Sequence, residues 1–123
     1  MTTQEIIEGN KLIAKFMGLS YCTKYQYEGW YKNSEHNHRI CDFDGLKFNS
    51  SWDWLMPVVN KIESLPLIND AGLCVLIEHS YCRIYLDNWG EYTTVVEKEK
   101  KKDKLNAVYL SIVEFIKWYN QNK

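Results

Sequence analysis

The stretch Leu73–Leu86, LCVLIEHSYCRIYL, decides the fold. Its first part, Leu73 to Ile77, is an unbroken apolar run of the kind expected from a strand covered on both faces. Its second part alternates, with Cys82, Ile84 and Leu86 pointing inward and Tyr81, Arg83 and Tyr85 outward, the period-two pattern of a half-buried strand. Glu78, His79 and Ser80 alone separate the two, so the pattern predicts an antiparallel hairpin.

Toward the C-terminus, Asp87-Asn88-Trp89-Gly90 reads as a turn and Tyr92 to Val96 as an added edge strand, followed by the charged run EKEKKKDK. Beyond it, Leu105, Val108, Ile112, Phe115 and Tyr119 recur at spacings of three and four, with Asp103 as N-cap, which predicts a long amphipathic helix. Toward the N-terminus, NSSWDWLMPVVNKIESL sets Leu55, Val58, Val59, Ile62 and Leu65 at helical spacing, with Ser50 and Asp53 as a capping pair. Pro57 has no N–H and clashes with the carbonyl four residues back, so this helix is expected to begin near Met56 or to be kinked in its first turns.

Further upstream the period is two again. Tyr21, Thr23, Tyr25 and Tyr27 share one face and Cys22, Lys24 and Gln26 the other, which reads as one strand from Ser20 to Tyr31. The polar KNSEHNH that follows reads as a loop, His38 to Phe43 as a short strand, and Asp44-Gly45 as a turn ahead of Leu46 to Phe48. In the first segment Ile6, Asn10, Ile13 and Met17 fall at helical spacing, widened by Ile7, Ala14 and Phe16. Thr2 and Glu5 have the form of a capping box, and Gly18 stands where a left-handed C-terminal cap would. The order predicts an α+β fold in one domain over 1–123: a mostly antiparallel sheet of four to five strands packed with three helices as a single layered sandwich.

The chain has 123 residues, 46% hydrophobic and 25% charged, which is ordinary globular composition. A net charge of -1 supplies no overall field for phosphate backbones or anionic lipid, so nucleic acid is a minority reading and no membrane partner is expected. The opening MTTQEIIEGNKLIAKF carries charges within its apolar stretch and predicts no signal peptide, hence a cytoplasmic protein in which Cys22, Cys41, Cys74 and Cys82 stay free thiols.

The segment Ser51-Trp52-Asp53-Trp54-Leu55-Met56-Pro57-Val58-Val59-Asn60-Lys61-Ile62-Glu63, with Ala107-Val108-Tyr109 and Val113-Glu114-Phe115-Ile116-Lys117-Trp118-Tyr119 in the last helix, resembles a group of small proteins from bacteriophages and gut bacterial genomes. These look like relatives of the phage α-β-α sandwich domain family. Members often carry a tyrosine and a histidine before the tryptophan, where this chain has Phe48, Asn49 and Ser50. The resemblance implies a fold and a phage or prophage setting, and it implies no reaction and no catalytic residues.

Several constellations bear on chemistry. Cys22, His36, His38 and Cys41 would converge as metal ligands if the two early strands pair, although the tight spacing of zinc sites is missing and a polar loop beside two buried thiols is the simpler reading. Cys74 or Cys82 near His79 offers a thiol and an imidazole in one hairpin, yet odd spacing along a strand sends His79 and Cys82 to opposite faces. Turns and caps account for Asp42 with Asp44 and for Asp53 with Glu63. No Gly-rich loop precedes a helix, so no phosphate-binding motif is present and no cofactor is expected.

Aromatic content, at 15%, stands out. Tyr25, Tyr27, Trp30, Tyr31, Trp52, Trp54 and Trp89, with Tyr92, lie near strand ends and turns, and such side chains are favoured at recognition surfaces. Others, Trp118 among them, are expected to close the core. The reading that asks least is a non-catalytic binding module using an aromatic face on a host protein, on a second copy of itself or on a small ligand. The alternatives are a small Cys/His hydrolase and single-stranded nucleic-acid binding by stacking.

Overall fold

A computed structural model describes residues 1–23, 28–32 and 35–122, with the side chains of residues 35–38 excepted. In chain order the elements are α1 (Thr3–Phe16), β1 (Leu19–Cys22), β2 (Gly29–Lys32), β3 (Glu35–Cys41), α2 (Trp52–Glu63), β4 (Gly72–Glu78), β5 (Tyr81–Asn88), β6 (Glu91–Glu99) and α3 (Lys104–Asn122). The chain is α+β. Its strands form two antiparallel three-stranded sheets, β1-β2-β3 and β4-β5-β6, in place of the expected single sheet of four to five.

The difference arises where one strand was expected from Ser20 to Tyr31. The chain doubles back within that stretch, and Leu19 pairs with Lys32 and Cys22 with Gly29. A period-two pattern runs through a hairpin as readily as through one strand, so alternation alone does not reveal the reversal. The expected loop at Lys32–His38 lies mostly in β3, an edge strand paired only with β2, where polar composition is compatible with a strand.

Helix α1 starts as expected: the Glu5 amide donates to the Thr2 hydroxyl at 3.1 Å, and that hydroxyl donates to the Glu5 carboxylate at 3.2 Å. It ends at Gly18, whose φ of +82° is the left-handed conformation a terminating glycine supplies. Helix α2 begins earlier than Pro57 suggested, at Trp52, and Ser51 is its N-cap without a side-chain capping bond, so Ser50 and Asp53 do not cap it. Pro57 sits inside the helix on an exposed position, where water can serve the Asp53 carbonyl that lacks its N–H partner. Pro57→Ala should therefore raise stability by about 1 kcal/mol or more, the helix-propensity gain of roughly 3 kcal/mol being offset by a freer unfolded chain. The check is a higher denaturant midpoint at unchanged slope.

The second sheet packs one face against the helices. Leu73, Val75 and Ile77 of β4 and Cys82, Ile84 and Leu86 of β5 face α2 and α3 together with Val96. Cys74 and Leu76 lie on the opposite face and are half-buried, so the LCVLI run is covered on one face and not on both. Helix α3 lies between this sheet and α1. Asp103 caps it, accepting from the Asn106 amide at 3.0 Å, and Val108, Ile112 and Phe115 are wholly buried. Among the described residues no helix is long and apolar enough to cross a membrane.

Where α1 meets α3, the absence of a side chain at Gly9 admits a tyrosine: a Cβ there would lie 2.3 Å from the Tyr109 hydroxyl. Tyr109 is 1% exposed and donates to the Ile6 carbonyl at 3.2 Å. Burial pushes its phenol up to about 12. Because the folded value lies above the ordinary value near 10, the stability this group contributes is intact below pH ~10 and is lost as pH climbs toward 12, at about 1.4 kcal/mol per unit of difference. Tyr21, Tyr81 and Tyr85 are shifted in the same direction. Tyr109→Phe should accordingly flatten, without abolishing, the fall in denaturation free energy measured between pH 10 and 12.

Candidate functional site

Strand register decides what the second sheet presents to solvent. In an antiparallel ladder, directly paired residues share a face. Glu78 pairs with Tyr81, Leu76 with Arg83 and Cys74 with Tyr85, while across β5 and β6 Tyr81 pairs with Glu99, Arg83 with Glu97, Tyr85 with Thr94 and Asp87 with Tyr92. These residues form the face turned away from α3. A register shift between Ile84 and Tyr85 inserts an extra β6 residue at Val95 and twists that edge.

The face is tied together by side chains. Arg83 Nε donates to the Thr94 hydroxyl at 2.7 Å, and its guanidinium lies 4.6 Å from the centre of the Tyr85 ring. Tyr85 and Tyr92 meet edge to face at 5.4 Å, and Tyr81 donates to the Glu97 carboxylate at 2.6 Å. That hydrogen bond, with burial, raises the Tyr81 phenol and keeps it a donor. Among the described residues that pair on this face, four are carboxylates, Glu78, Asp87, Glu97 and Glu99, and one is a cation, Arg83.

The β5–β6 turn ends the face. The Gly90 amide donates to Asp87 Oδ1 at 3.0 Å, and Trp89 and Gly90 have φ of +55° and +94°. Two successive left-handed residues are the turn that suits the twist of a two-residue hairpin, and asparagine followed by glycine is its least strained sequence. Tryptophan at the first position costs about 1 kcal/mol or more of backbone strain, and its side chain, 93% exposed, recovers nothing by packing. Tyr92 beside it is 60% exposed.

The other aromatic residues singled out in the sequence do not join this face. Trp30 and Tyr31 are buried at 2% and 4% exposure, and Trp30 Nε1 donates to the Phe43 carbonyl at 3.4 Å. Trp54 packs edge to face on Phe48 at 5.2 Å, and Trp52 opens α2 elsewhere on the molecule. Tyr25 and Tyr27 lie outside the described residues. Alternation in Tyr81–Leu86 marked Tyr81, Arg83 and Tyr85 as outward. Their union with Tyr92 needed the β5–β6 register, which the two-residue turn that holds Trp89 dictates.

The chemical alternatives find little geometry. Cys22 pairs with Gly29 while Trp30 pairs with both Tyr21 and Cys41, so the two cysteines sit on outer strands and opposite faces of the first sheet. His36 and His38 belong to β3. Among the described residues no three His, Cys, Asp or Glu are placed to hold a metal ion. Cys82 is wholly buried, and burial raises its thiol against a smaller opposing effect from a hydrogen bond with Ser111, the reverse of nucleophile activation. His79 is exposed in the β4–β5 turn. Compared with protein-family models, curated proteins and solved structures, the chain has no match.

Proposed function

We propose that this chain is a small phage- or prophage-type accessory protein that acts as a non-catalytic binding module, engaging another protein through the open face of β4-β5-β6 with Trp89 as anchor. The observation that carries the reading is Trp89 itself: a 93% exposed tryptophan held at a left-handed turn position. Strain kept at a solvent-exposed aromatic stabilises nothing in the free chain, and exposed aromatics flanked by a pre-ordered arginine are the usual anchors of protein interfaces. The phage setting rests on the resemblance of segments 51–63 and 107–119 described above.

Charge selects among occupants. Four carboxylates against one arginine repel a nucleic-acid backbone, and they repel a second copy presenting the same face. A protein surface with an apolar recess rimmed by Lys and Arg is complementary to both features. The test places a photo-crosslinking residue at position 89 and, as control, at Leu67, another exposed apolar position at 66% exposure. A defined crosslink from 89 that is absent from 67 and is suppressed by Tyr92→Ser supports the reading. Equal crosslinking from both positions, or a crosslink insensitive to Tyr92, sinks it.

A further inference from the structure

A cleft of about 500 Å³ opens between α1 and the segment that joins β3 to α2. It lies on α1, which α3 separates from the second sheet, so it is independent of the binding face above. Its apolar wall is Ile6 and Ile7 with Leu46 and Phe43. Lys11 and Lys47, with Asp44, supply the charged groups of its lining, and Thr3 and Ser50 add hydroxyls. Thr3 and Lys11 are eight residues apart on α1, so at the helical rise the cleft runs roughly 12 Å along that helix.

Asn10 also lines the cleft and is 6% exposed. Its Nδ2 donates to the Leu46 carbonyl at 3.2 Å and to Asn49 Oδ1 at 3.0 Å. Both partners are acceptors, so reversing the amide would set an oxygen against two oxygens, and the orientation is fixed. Oδ1 is then a buried acceptor that no protein donor reaches. Buried polar atoms are almost always satisfied, and this one, on a residue that lines the cleft, has no donor among the described residues. Oδ1 is closed to solvent as it stands, so a ligand donor reaches it after a side-chain shift in the cleft wall.

We infer that this cleft binds a small organic phosphate of nucleoside monophosphate size. Lys11 and Lys47 meet the anionic end as point charges, the apolar wall takes the body, and a hydroxyl or amino group of the body donates to Asn10 Oδ1. Lys11 is already placed for this role, with its ammonium 4.8 Å from the centre of the Phe43 ring. No glycine-rich loop is involved, which is why no sequence motif announces the site.

The probe is adenosine monophosphate, titrated calorimetrically into the full chain beside inorganic phosphate and adenosine, with the Asn10 side-chain amide followed by NMR. The expected result is binding at least tenfold tighter than either fragment, a shift of the Asn10 amide signal with the nucleotide and not with phosphate, and a tenfold or greater loss in Lys11→Gln/Lys47→Gln, a pair of changes outside the core. Binding no tighter than that of phosphate would mean attraction to two lysines only. That result, an unmoved Asn10 signal, or full affinity in the double variant would each overturn the assignment.

Discussion

Trp89→Asn is expected to make the protein more stable and to weaken its complex about 30-fold or more. The two effects share one cause. Position 89 has φ of +55° and precedes a glycine at +94°, the backbone for which asparagine-glycine is favoured. Replacing a bulky residue held in the left-handed region relieves strain of about 1 kcal/mol, and no packing is lost because Trp89 is 93% exposed. The same change removes the largest apolar contact the face can offer a partner, and anchor residues of this kind cost about 2–4 kcal/mol when truncated, which is a factor of 30 to 1,000 in affinity. A rise in thermal midpoint with a loss of affinity, measured on one preparation, is a signature that a merely structural turn residue would not give. Because the face is acidic, association should also slow as salt rises while dissociation changes little.

Phe115→Ala should come close to unfolding the domain. Phe115 is wholly buried at the centre of α3, stacked on Tyr119 at 5.7 Å and tilted against Trp118 at 5.8 Å. Deleting a buried phenyl ring costs about 3–5 kcal/mol, against a total of about 5–15 kcal/mol for a domain. At this chain length the thermal midpoint should fall by roughly 10 °C or more. Phe115→Leu keeps most of the volume and should lose under half as much. Equal losses from the two would mean that ring geometry, and not filled volume, holds α3 in place.

Much of the fold was legible because helices announce themselves locally. The stripe Val108, Ile112 and Phe115 and the cap at Asp103 predicted α3, and Thr2 with Glu5 predicted the start of α1. Of the two expectations for Pro57, a helix starting near Met56 or one kinked in its first turns, the first fails because α2 starts at Trp52, and an exposed proline can leave its orphan carbonyl to water. The division into two sheets was not legible, since the alternation of Tyr21, Thr23, Tyr25 and Tyr27 does not mark the reversal, and the pairing that then swaps odd for even positions, Tyr21 with Trp30, is not written in the sequence.

The site divides the same way. Outward placement of Tyr81, Arg83 and Tyr85 followed from period two, whereas the burial of Trp30 and Tyr31 depended on which face of β2 the rest of the chain covers. Nothing near Trp30 in sequence specifies that. Trp89 could be placed in a turn from Asp87-Asn88-Trp89-Gly90, but its left-handed backbone, on which the functional reading now rests, is a property of the finished hairpin. Spacing makes Asn10 one member of an apolar stripe, and its unsatisfied acceptor depends on Leu46 and Asn49, far along the chain.

The measurement that bears most directly on the binding face is hydroxyl-radical footprinting of the chain, alone and in complex with the partner crosslinked from position 89, because tryptophan and tyrosine are readily oxidised. Protection concentrated on Tyr85, Trp89 and Tyr92, with Trp52 oxidised equally in both states, is the predicted result. Undiminished oxidation of Trp89 in the complex, with protection at Trp52 and Met56 on α2, would contradict it and move the interface to the other side of the molecule's helical layer.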